Sequence, residues 1–331
     1  MICCFYDFFD DLSNFSSTFA AKMKQVRPKK NLGQHFLTDL SIARRIADTV
    51  DACPDIPVLE VGPGMGVMTQ FLVAKPRPLK VVEIDRESVE YLKNTLFRED
   101  EVREDEVRGT RCEVREDEVR GTRCEVREDE DSAIIEGDFL RMDLSKVFDG
   151  RQFVLTGNYP YDISSQIFFK MLDNRDLIPC CTGMIQREVA LRMASQPGSK
   201  QYGILSVLIQ AWYDVDYLFT VEPGVFNPPP KVQSAVIRMT RNQVRHLGCN
   251  EELFKRVVKT TFNQRRKMLR VSLRQLLPAD SPFFSPSSSD GIQPDAFHVS
   301  VLTRRPEQLS IAEFVTLTNM VEKSLCASTS I

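Results

Sequence analysis

The sequence has 331 residues, of which 42% are hydrophobic and 27% are charged, values that are ordinary for a folded protein with room for two domains. It contains no uninterrupted apolar run of about eighteen residues, which argues against a membrane-spanning helix. Three widely spaced histidines argue against a structural zinc site, and nine cysteines without a C-x-x-C pair indicate reduced thiols in a cytoplasmic protein.

The net charge of −3 hides two regions of opposite sign. Segment 98–131 carries −7, so the rest of the chain carries +4. Residues 241–277 hold ten Lys and Arg against two acids, and residues 22–30 hold five basic residues and no acid. Two basic clusters that flank a central domain predict contact with a nucleic-acid phosphate backbone.

Two segments lie outside the expected domains. Residues 1–22 have neither a domain pattern nor a signal-peptide pattern, and we expect a disordered extension or an upstream start codon. Segment 98–131 is built from the twelve-residue unit REDEVRGTRCEV, which occurs at 103–114 and again at 115–126. With only Val and Cys to bury, this unit cannot form a core, so we expect a solvated, mobile insert within a domain that spans 23–240.

In chain order, a helix is predicted from about Asp39, and a buried strand over Pro57–Val61 leads into the turn EVGPGMG. Glycines in such a turn let the backbone approach a ligand, and Glu83, at the end of the strand Lys80–Ile84, is placed to bind ribose hydroxyls. A dehydrogenase uses the same arrangement. Its fingerprint requires Gly where Val67 stands, however, so the spacing favours the methyltransferase form of the turn, which binds no pyrophosphate.

The most distinctive stretch is VLTGNYPYDISSQIFF, at 154–169. A short apolar strand ends at Gly157, a polar and aromatic turn follows, and Ser164 and Ser165 are expected to cap a helix that starts near Gln166. Ligands of an open α/β sheet bind outside the carboxyl ends of its strands, so this turn faces the reacting groups. Its amide, proline and tyrosine suit a flat, amine-bearing substrate, because carbonyl oxygens accept from the amine while a ring stacks on the base.

The turn Asn158-Tyr159-Pro160-Tyr161 resembles the Asn-X-Pro-Tyr motif of adenine-N6 methyltransferases. The segments NLGQHFL at 31–37 and NQRRK at 263–267 are similar to signatures of the ribosomal small-subunit RNA adenine dimethyltransferase family, the 16S rRNA dimethyladenosine transferases. The resemblance runs from about residue 26 to 241, outside the insert, and resumes in the C-terminal helices. Tyr159 replaces the usual Leu or Ile and is expected to pack; Asp162 replaces Asn and puts a charge beside the pocket.

This resemblance implies a class I S-adenosylmethionine-dependent methyltransferase, with a Rossmann-like, mostly parallel, doubly wound α/β sheet. It implies S-adenosyl-L-methionine as the cofactor, bound by His35, Leu37, Gly62, Glu83, Asp138 and Asn158. It also implies catalytic residues at Asn158, Pro160, Tyr161 and Phe226. The first two would accept the hydrogens of the adenine amine, and the two rings would stack on the base. Two alternatives stay open, a turn-forming Asp138 and a rigid proline connector (VFNPPPKVQS, 225–234) with a buried Phe226.

The C-terminal region 241–331 is predicted to be a small α-helical RNA-binding domain. Its apolar residues recur at helical spacing, at Phe254, Val258 and Phe262 and then at Leu269, Leu273 and Leu276. Arg266, Arg270 and Arg274 fall on another face of the same pattern. The expected RNA-binding residues are Lys231, Arg265, Arg266, Lys267 and Arg270, with a merely solvated basic face as the alternative. The Pro- and Ser-rich segment 281–295 is expected to be a flexible loop.

Together these features predict a monomeric, metal-free, cytoplasmic enzyme. By the resemblance, it dimethylates two adjacent adenines near the 3′ end of small-subunit rRNA in an immature small ribosomal subunit. A large-subunit methylase of the antibiotic-resistance type and a non-catalytic ribosome-assembly factor remain as alternatives. The GQHFL and QRRK segments favour the small-subunit branch. The intact set Gly62, Glu83, Asp138, Asn158 and Tyr161 argues against a non-catalytic factor.

Overall fold

The computed structural model describes residues 29, 34–97, 133–278, 281–284 and 296–329. The predicted N-terminal extension and the predicted repeat insert lie outside the described residues, as does most of the Pro- and Ser-rich segment. The described chain leaves helix 86–95 and resumes just before strand 134–136.

A seven-stranded sheet forms the centre of the described part of the chain. Its strands are β2 (Val58–Val61), β3 (Leu79–Glu83), β4 (Ile134–Glu136), β5 (Val154–Thr156), β6 (Cys180–Gln186), β7 (Tyr213–Val221) and β9 (Ser234–Arg241). A second, two-stranded sheet pairs β1 (Phe36–Leu37) with β8 (Phe226–Asn227).

The strand order of the large sheet is β4-β3-β2-β5-β6-β9-β7. Strands β2 to β6 are parallel, whereas β9 is antiparallel to both of its neighbours. The strand order reverses between β2 and β5, and ligands of such sheets bind at this switch point. The prediction of a mostly parallel, doubly wound sheet is confirmed.

Helices cover both faces of the sheet. The first six are α1 (Leu40–Ala47), α2 (Thr69–Val73), α3 (Arg86–Thr95), α4 (Ser164–Asp173), α5 (Arg187–Met193) and α6 (Ile204–Gln210). One apolar cluster combines α1 and α2 residues with Val58 and Val154, and a second combines α4 to α6 with Leu59 and Leu155. Side chains alternate between faces along a strand, so neighbouring residues of β2 and β5 enter opposite layers.

Two predicted helix starts had different outcomes. The helix predicted from about Asp39 begins at Leu40 as α1, and Asp39 caps it by accepting hydrogen bonds from the backbone N–H groups of Ser41 and Ile42. The predicted serine cap of α4 is wrong. That helix begins at Ser164 itself, and the Ser164 hydroxyl donates to the carbonyl of Tyr161. The serine therefore ties the helix to the preceding turn instead of satisfying its free N–H groups.

The C-terminal region contains α7 (Glu251–Asn263), α8 (Leu269–Ser272), α9 (Ala296–Val301) and α10 (Ile311–Thr329). The helical spacing correctly identified the buried residues of α7. It failed further on: the chain turns between α7 and α8, so Arg266, Arg270 and Arg274 do not share one helix, and Leu277 is more deeply buried than Leu276. These helices pack on the core of the sheet. For example, Phe254 of α7 lies edge-on to Trp212, the residue just before β7. A separately folding domain at 241–331 stays a prediction.

One cysteine prediction is wrong. Cys53 and Cys180 form a disulfide, with their Cα atoms 5.9 Å apart. The turn that follows α1 packs against the first residue of β6 in the same apolar cluster, and this brings together two residues 127 positions apart. Cys181 and Cys249 are thiols, as predicted.

Within the described ranges, no helix has the length and apolar character needed to cross a membrane. The described residues also include no group of three or more His, Cys, Asp or Glu side chains arranged to hold a metal ion.

Candidate active site

A cavity of about 280 Å³ opens at the carboxyl ends of β2 to β5. The segment 34–37, the glycine turn, the ends of β3 and β4 and the turn after β5 all contribute to it. Every predicted cofactor-binding residue lines this cavity, namely His35, Leu37, Gly62, Glu83, Asp138 and Asn158. So do three of the four predicted catalytic residues, Asn158, Pro160 and Tyr161. Residues from distant parts of the sequence thus meet at one place.

The glycine turn brings the end of β2 beside the Asn-X-Pro-Tyr turn. Gly62 has a φ of +67°, a left-handed conformation that an L side chain rarely adopts. A Cβ atom placed there would lie 3.9 Å from the ring of Pro160. The turn therefore borders Pro160 directly.

Glu83 lies at the end of β3 and is 4% exposed. Its carboxylate accepts hydrogen bonds from the backbone N–H groups of Gly64, Ile84 and Asp85, each at 2.9 Å. Burial raises the pKa of Glu83, and these three donors oppose that rise. Because a carboxylate offers about four acceptor positions, it retains capacity for a ligand hydroxyl.

Asp138 follows β4 in a tight turn. Its Oδ1 accepts from the backbone N–H of Leu140 at 2.9 Å, and its Oδ2 lies 3.4 Å from Arg141. The turn is held from outside by Lys170 of α4, which donates to the carbonyls of Leu140 and Met142 at 3.0 and 2.5 Å. Asp138 thus has both a structural contact and a place in the cavity lining.

Asn158 sits between two backbone segments. It forms an isolated parallel bridge with Met184, and its Nδ2 donates to the His35 carbonyl at 3.5 Å. With the amide nitrogen engaged in this way, the side-chain oxygen is left as an acceptor. The Pro160 carbonyl accepts from the Ile163 N–H at 3.3 Å and keeps one lone pair.

Tyr161 is half-buried and held at both its ring and its hydroxyl. Its ring stacks with that of His35, with centroids 5.7 Å apart and planes 29° apart. Its hydroxyl lies 2.5 Å from the Ser234 hydroxyl at the start of β9. His35 is held in turn by a 2.8 Å hydrogen bond from Nδ1 to the Pro228 carbonyl. Burial raises the pKa of Tyr161, so the hydroxyl stays protonated.

Tyr159 packs in the interior, as predicted, and is 1% exposed. Its hydroxyl donates to the Thr182 carbonyl at 3.0 Å and lies 3.2 Å from the Cys181 sulfur. The ring fits between two glycines: a Cβ atom on Gly183 would lie 2.7 Å from the ring and 2.3 Å from the carbonyl oxygen of Gly157.

Phe226 is placed differently from the prediction. It pairs with Leu37 across the two-stranded sheet, is 4% exposed and belongs to an apolar cluster. Within the described part of the chain, the cavity lining does not include it. The geometry agrees with the alternative of a buried Phe226, and the ring that faces Tyr161 is His35.

The predicted RNA-binding residues separate into two groups. Lys231, Arg266, Lys267 and Arg270 are exposed. Arg265 is half-buried, donates to the Ser199 carbonyl at 3.2 Å and lies 3.9 Å from Glu307. Arg265 therefore joins two parts of the fold instead of facing solvent.

Three residues of the site were missed by the sequence analysis. Ile84 lines the cavity although it is apolar and 55% exposed. Its position directly after Glu83, at a strand end, was an available signal. Glu60 also lines the cavity, two residues before Gly62. Ser234 carried no signal, because its contact with Tyr161 spans 73 positions.

Two close relatives cover almost the whole chain. The protein is 58% identical over 309 residues to "Ribosomal RNA small subunit methyltransferase A" of Phocaeicola vulgatus. This alignment covers 93% of this chain and 95% of the relative. The protein of the same name from Bacteroides thetaiotaomicron is 58% identical over 307 residues, covering 93% of this chain and 98% of the relative.

Two solved structures share the fold. A dimethyladenosine transferase from Plasmodium falciparum aligns with a TM-score of 0.63 and 23% identity, over 88% of this chain and 98% of that one. The 23S rRNA methyltransferase ErmE aligns with a TM-score of 0.53 and 23% identity, over 87% and 99%. At this identity both support the Rossmann-like methyltransferase fold alone.

The family model described as "Ribosomal RNA adenine dimethylase" matches residues 25–104 and 108–295. Together with the cavity and the two relatives, this match shows that the chain belongs to the ribosomal RNA adenine dimethylase family.

Proposed function

We infer that the protein is an S-adenosylmethionine-dependent rRNA adenine-N6 dimethyltransferase that acts on small-subunit rRNA. The observation that carries this conclusion is the single cavity in which the glycine turn and Glu83 meet the Asn158-Tyr159-Pro160-Tyr161 turn. The relatives named above, 58% identical over nearly the whole chain, are named as methyltransferases of small-subunit ribosomal RNA.

The cavity residues fit S-adenosyl-L-methionine. Glu83 is a buried carboxylate with remaining acceptor capacity, as ribose hydroxyls require. Asp138 lies in the lining at the end of the neighbouring strand, suited to an adenine amine, and the apolar Ile84 stands beside Glu83. We assign cofactor binding to His35, Leu37, Gly62, Glu83, Asp138 and Asn158.

Catalysis by this chain rests on positioning. When bound, S-adenosylmethionine supplies an electrophilic methyl group on a sulfonium that leaves as a neutral thioether. The Asn158 side-chain oxygen and the Pro160 carbonyl accept the two hydrogens of the target amine, which aims its lone pair. The Asn158 contact with the His35 carbonyl supports this orientation of the amide.

Tyr161 provides the stacking face for the extruded adenine. Stacking on an aromatic ring contributes roughly 1–3 kcal/mol per base, comparable to the few kcal/mol needed to unstack one. The hydroxyl contact with Ser234 and the His35 ring fix the Tyr161 ring before the base arrives. Phe226 packs in the interior as part of β8 and supports the proline loop there. It does not close the second face of the adenine.

The finer details rest on the family resemblance and on charge. We propose two adjacent adenines near the 3′ end of the rRNA as targets, an immature small subunit as substrate, a monomeric enzyme and a cytoplasmic location. We assign RNA contact to the exposed Lys231, Arg266, Lys267 and Arg270. Arg265 is left out of this assignment because its guanidinium is engaged within the fold.

The test is to incubate the protein with labelled S-adenosylmethionine and unmethylated small ribosomal subunits and then to map the modified nucleotides. We expect dimethyladenosine at two adjacent positions near the 3′ end. Asn158→Ala should lower turnover by at least about a hundredfold, because the amine loses its positioning acceptor. Asn319→Ala, in α10 and outside the cavity, is the matched control.

Each contrary outcome has a clear meaning. Label in large-subunit RNA alone would move the protein to the resistance-type methylases. Tight subunit binding without label would favour a non-catalytic assembly factor. Full activity in Asn158→Ala would contradict the role given to Asn158 while leaving the reaction in place.

A further inference from the structure

A second cavity, of about 380 Å³, is lined by residues of α4, α6 and α7 and shares no lining residue with the cofactor cavity. We call it the helix cavity. Ser164, at the start of α4, contacts the Asn-X-Pro-Tyr turn, whereas the second half of α4 lines the helix cavity. The proposed function therefore does not use this cavity. Its lining residues are Phe169, Leu172, Asp173, Leu208, Trp212, Glu252, Lys255 and Lys259.

The wall of the helix cavity is apolar and contains an unpaired hydrogen-bond donor. Leu172, Leu208 and Trp212 are at most 2% exposed, and Phe169 is half-buried. The Nε1 atom of Trp212 is buried and has no hydrogen-bond partner within the part of the chain that the structure describes. An unpaired buried N–H is costly, and native proteins keep few of them. This donor indicates that a further group, with an acceptor atom, completes the cavity.

The rim of the helix cavity carries two lysines and two acids, and its charges are unevenly paired. Lys255 lies 2.9 Å from Asp173 and 3.1 Å from Glu252, so two carboxylates share one ammonium. The ammonium of Lys259 lies 5.1 Å from the centroid of the Phe169 ring, and no described carboxylate forms an ion pair with it. The rim is neutral as a whole, but Lys259 places a positive charge without a counter-ion at one side of it.

These features match one class of ligand. Small-molecule sites are mostly apolar, with a few placed polar groups, and their volumes run from about 300 to 1,000 Å³. An indole N–H requires an acceptor, and an ammonium without a counter-ion attracts an anion. The two aromatic rings and two leucines of the wall favour a flat apolar body.

We propose that the helix cavity binds a small aromatic carboxylate. Its ring packs against Phe169 and Trp212, and its carboxylate accepts a hydrogen bond from Trp212 Nε1 and is attracted by Lys259. A cationic ligand would be repelled by Lys259, and a ligand without an acceptor would leave the indole N–H unpaired. This inference goes beyond the proposed function and does not depend on it.

The experiment uses the fluorescence of Trp212, which is the single tryptophan of the chain. The probe is 8-anilinonaphthalene-1-sulfonate, an aromatic anion whose sulfonate stands in for a carboxylate and which accepts excitation energy from tryptophan. The full chain is titrated with it, without and with saturating S-adenosylhomocysteine to occupy the cofactor cavity. We expect saturable energy transfer from Trp212 under both conditions, with one probe bound per chain. N-Phenyl-1-naphthylamine, the same ring system without the sulfonate, should bind roughly tenfold more weakly.

Two variants test the residues themselves. Lys259→Glu reverses an exposed charge, so it should lower the affinity for the anionic probe roughly tenfold while that for N-phenyl-1-naphthylamine stays within about twofold. Lys323→Glu, the same change at an exposed position of α10, is the matched control. Trp212→Phe keeps an aromatic ring but removes the N–H donor. With the probe excited directly, its affinity for this variant should also fall roughly tenfold.

Each contrary result would overturn the inference. Equal affinity for the two probes, or no loss in Lys259→Glu, would show that the cavity does not select an anion. Loss of energy transfer on adding S-adenosylhomocysteine would place the probe in the cofactor cavity, and uptake of several probes without saturation would indicate non-specific binding. If Trp212→Phe does not fold, the comparison of Lys259→Glu with Lys323→Glu decides alone. The rRNA methylation assay tests the proposed function separately.

Discussion

The Tyr161 hydroxyl shows how the position of a ring in the cavity can depend on a residue far away in sequence. It meets the buried Ser234 hydroxyl at 2.5 Å, and its ring lies against His35. His35 is bonded to Pro228 in the loop that leads to Ser234. A stacking face fixed in this way loses little conformational entropy when the base arrives, which favours binding.

We predict that the two hydroxyls act as a unit. Ser234→Ala should raise the KM for rRNA about two- to tenfold, because it removes one hydrogen bond and frees the ring. Tyr161→Phe should have a similar effect, and the double variant should be no worse than either single one. Methylation kinetics with each variant measure this, with Ser145→Ala as the exposed control. Strictly additive effects would contradict the coupling.

Tyr159 occupies a space that exists only because Gly157 and Gly183 have no side chains. Gly183 has a φ of +148°. The backbone of Gly157 occupies the space into which a side chain on Gly183 would project. The large ring therefore replaces the family's usual aliphatic residue without entering the substrate side of the turn. Its hydroxyl finds a buried acceptor at Thr182, as a buried tyrosine requires.

We predict that Gly183→Ala destabilises the fold by about 2–3 kcal/mol or more, because the added Cβ would lie 2.3 Å from a backbone oxygen. Thermal unfolding measures this effect. Gly224→Ala is the matched control, since no atom lies within 4 Å of its added Cβ. Equal melting temperatures for the two variants would contradict the packing described for Tyr159.

At the scale of elements, α4 connects the Asn-X-Pro-Tyr turn to the turn after β4. Its first residue, Ser164, bonds back to Tyr161, and Lys170, nearly two turns later, holds the carbonyls of Leu140 and Met142. One helix thus contacts both Tyr161 and the turn that carries Asp138. Lys170 acts through backbone atoms, so it is a positioning residue.

We predict that Lys170→Met weakens S-adenosylmethionine binding roughly three- to tenfold, since two hydrogen bonds that hold the Asp138 turn are lost. The KM for the cofactor should rise while kcat changes little, and Lys170→Arg should recover part of the loss. Lys146→Met removes the same charge from an exposed position nearby and is the control. An unchanged cofactor Kd in Lys170→Met would count against this role.

The two-stranded sheet is the other connecting element. It pairs Phe36 and Leu37, beside the cofactor cavity, with Phe226 and Asn227, ahead of the proline loop. Thr38 adds two hydrogen bonds to the Val225 carbonyl, one from its backbone N–H and one from its hydroxyl. The proline loop is therefore anchored to the segment that carries His35.

At the scale of the whole molecule, the basic residues of the C-terminal signature differ in exposure. The C-terminal basic residues Arg266, Lys267 and Arg270 are exposed next to a core that is continuous with the sheet. Arg265, in the same signature, is held by Ser199 and lies near Glu307. Exposed cations release counterions from RNA when they bind, whereas an engaged guanidinium does not.

We predict that Arg270→Gln weakens rRNA binding and reduces the slope of log affinity against log salt by about one. Arg265→Gln should leave that slope unchanged and lower the melting temperature instead. Fluorescence anisotropy with a small-subunit rRNA fragment at several salt concentrations measures the slope. A loss of slope in Arg265→Gln but not in Arg270→Gln would reverse the assignment.

The sequence by itself determined the type of sheet and the motifs that meet at the cavity. Each motif is local: a glycine turn, an acid at a strand end and an Asn-X-Pro-Tyr turn all follow parallel strands, and parallel strands present their carboxyl ends at one edge. Local patterns also predicted the helix that follows Asp39 and the helix that contains Phe254. These features depend on neighbouring residues and on a periodicity that the sequence displays directly.

Only the tertiary structure decided the contacts between distant segments. It paired Tyr161 with Ser234, joined Cys53 to Cys180, placed Phe226 in an apolar cluster and engaged Arg265 within the fold. It also buried Glu60, which lines the cavity, next to Thr156 of the neighbouring strand. Such contacts depend on how whole elements pack, and packing brings together residues whose local patterns carry no information about one another.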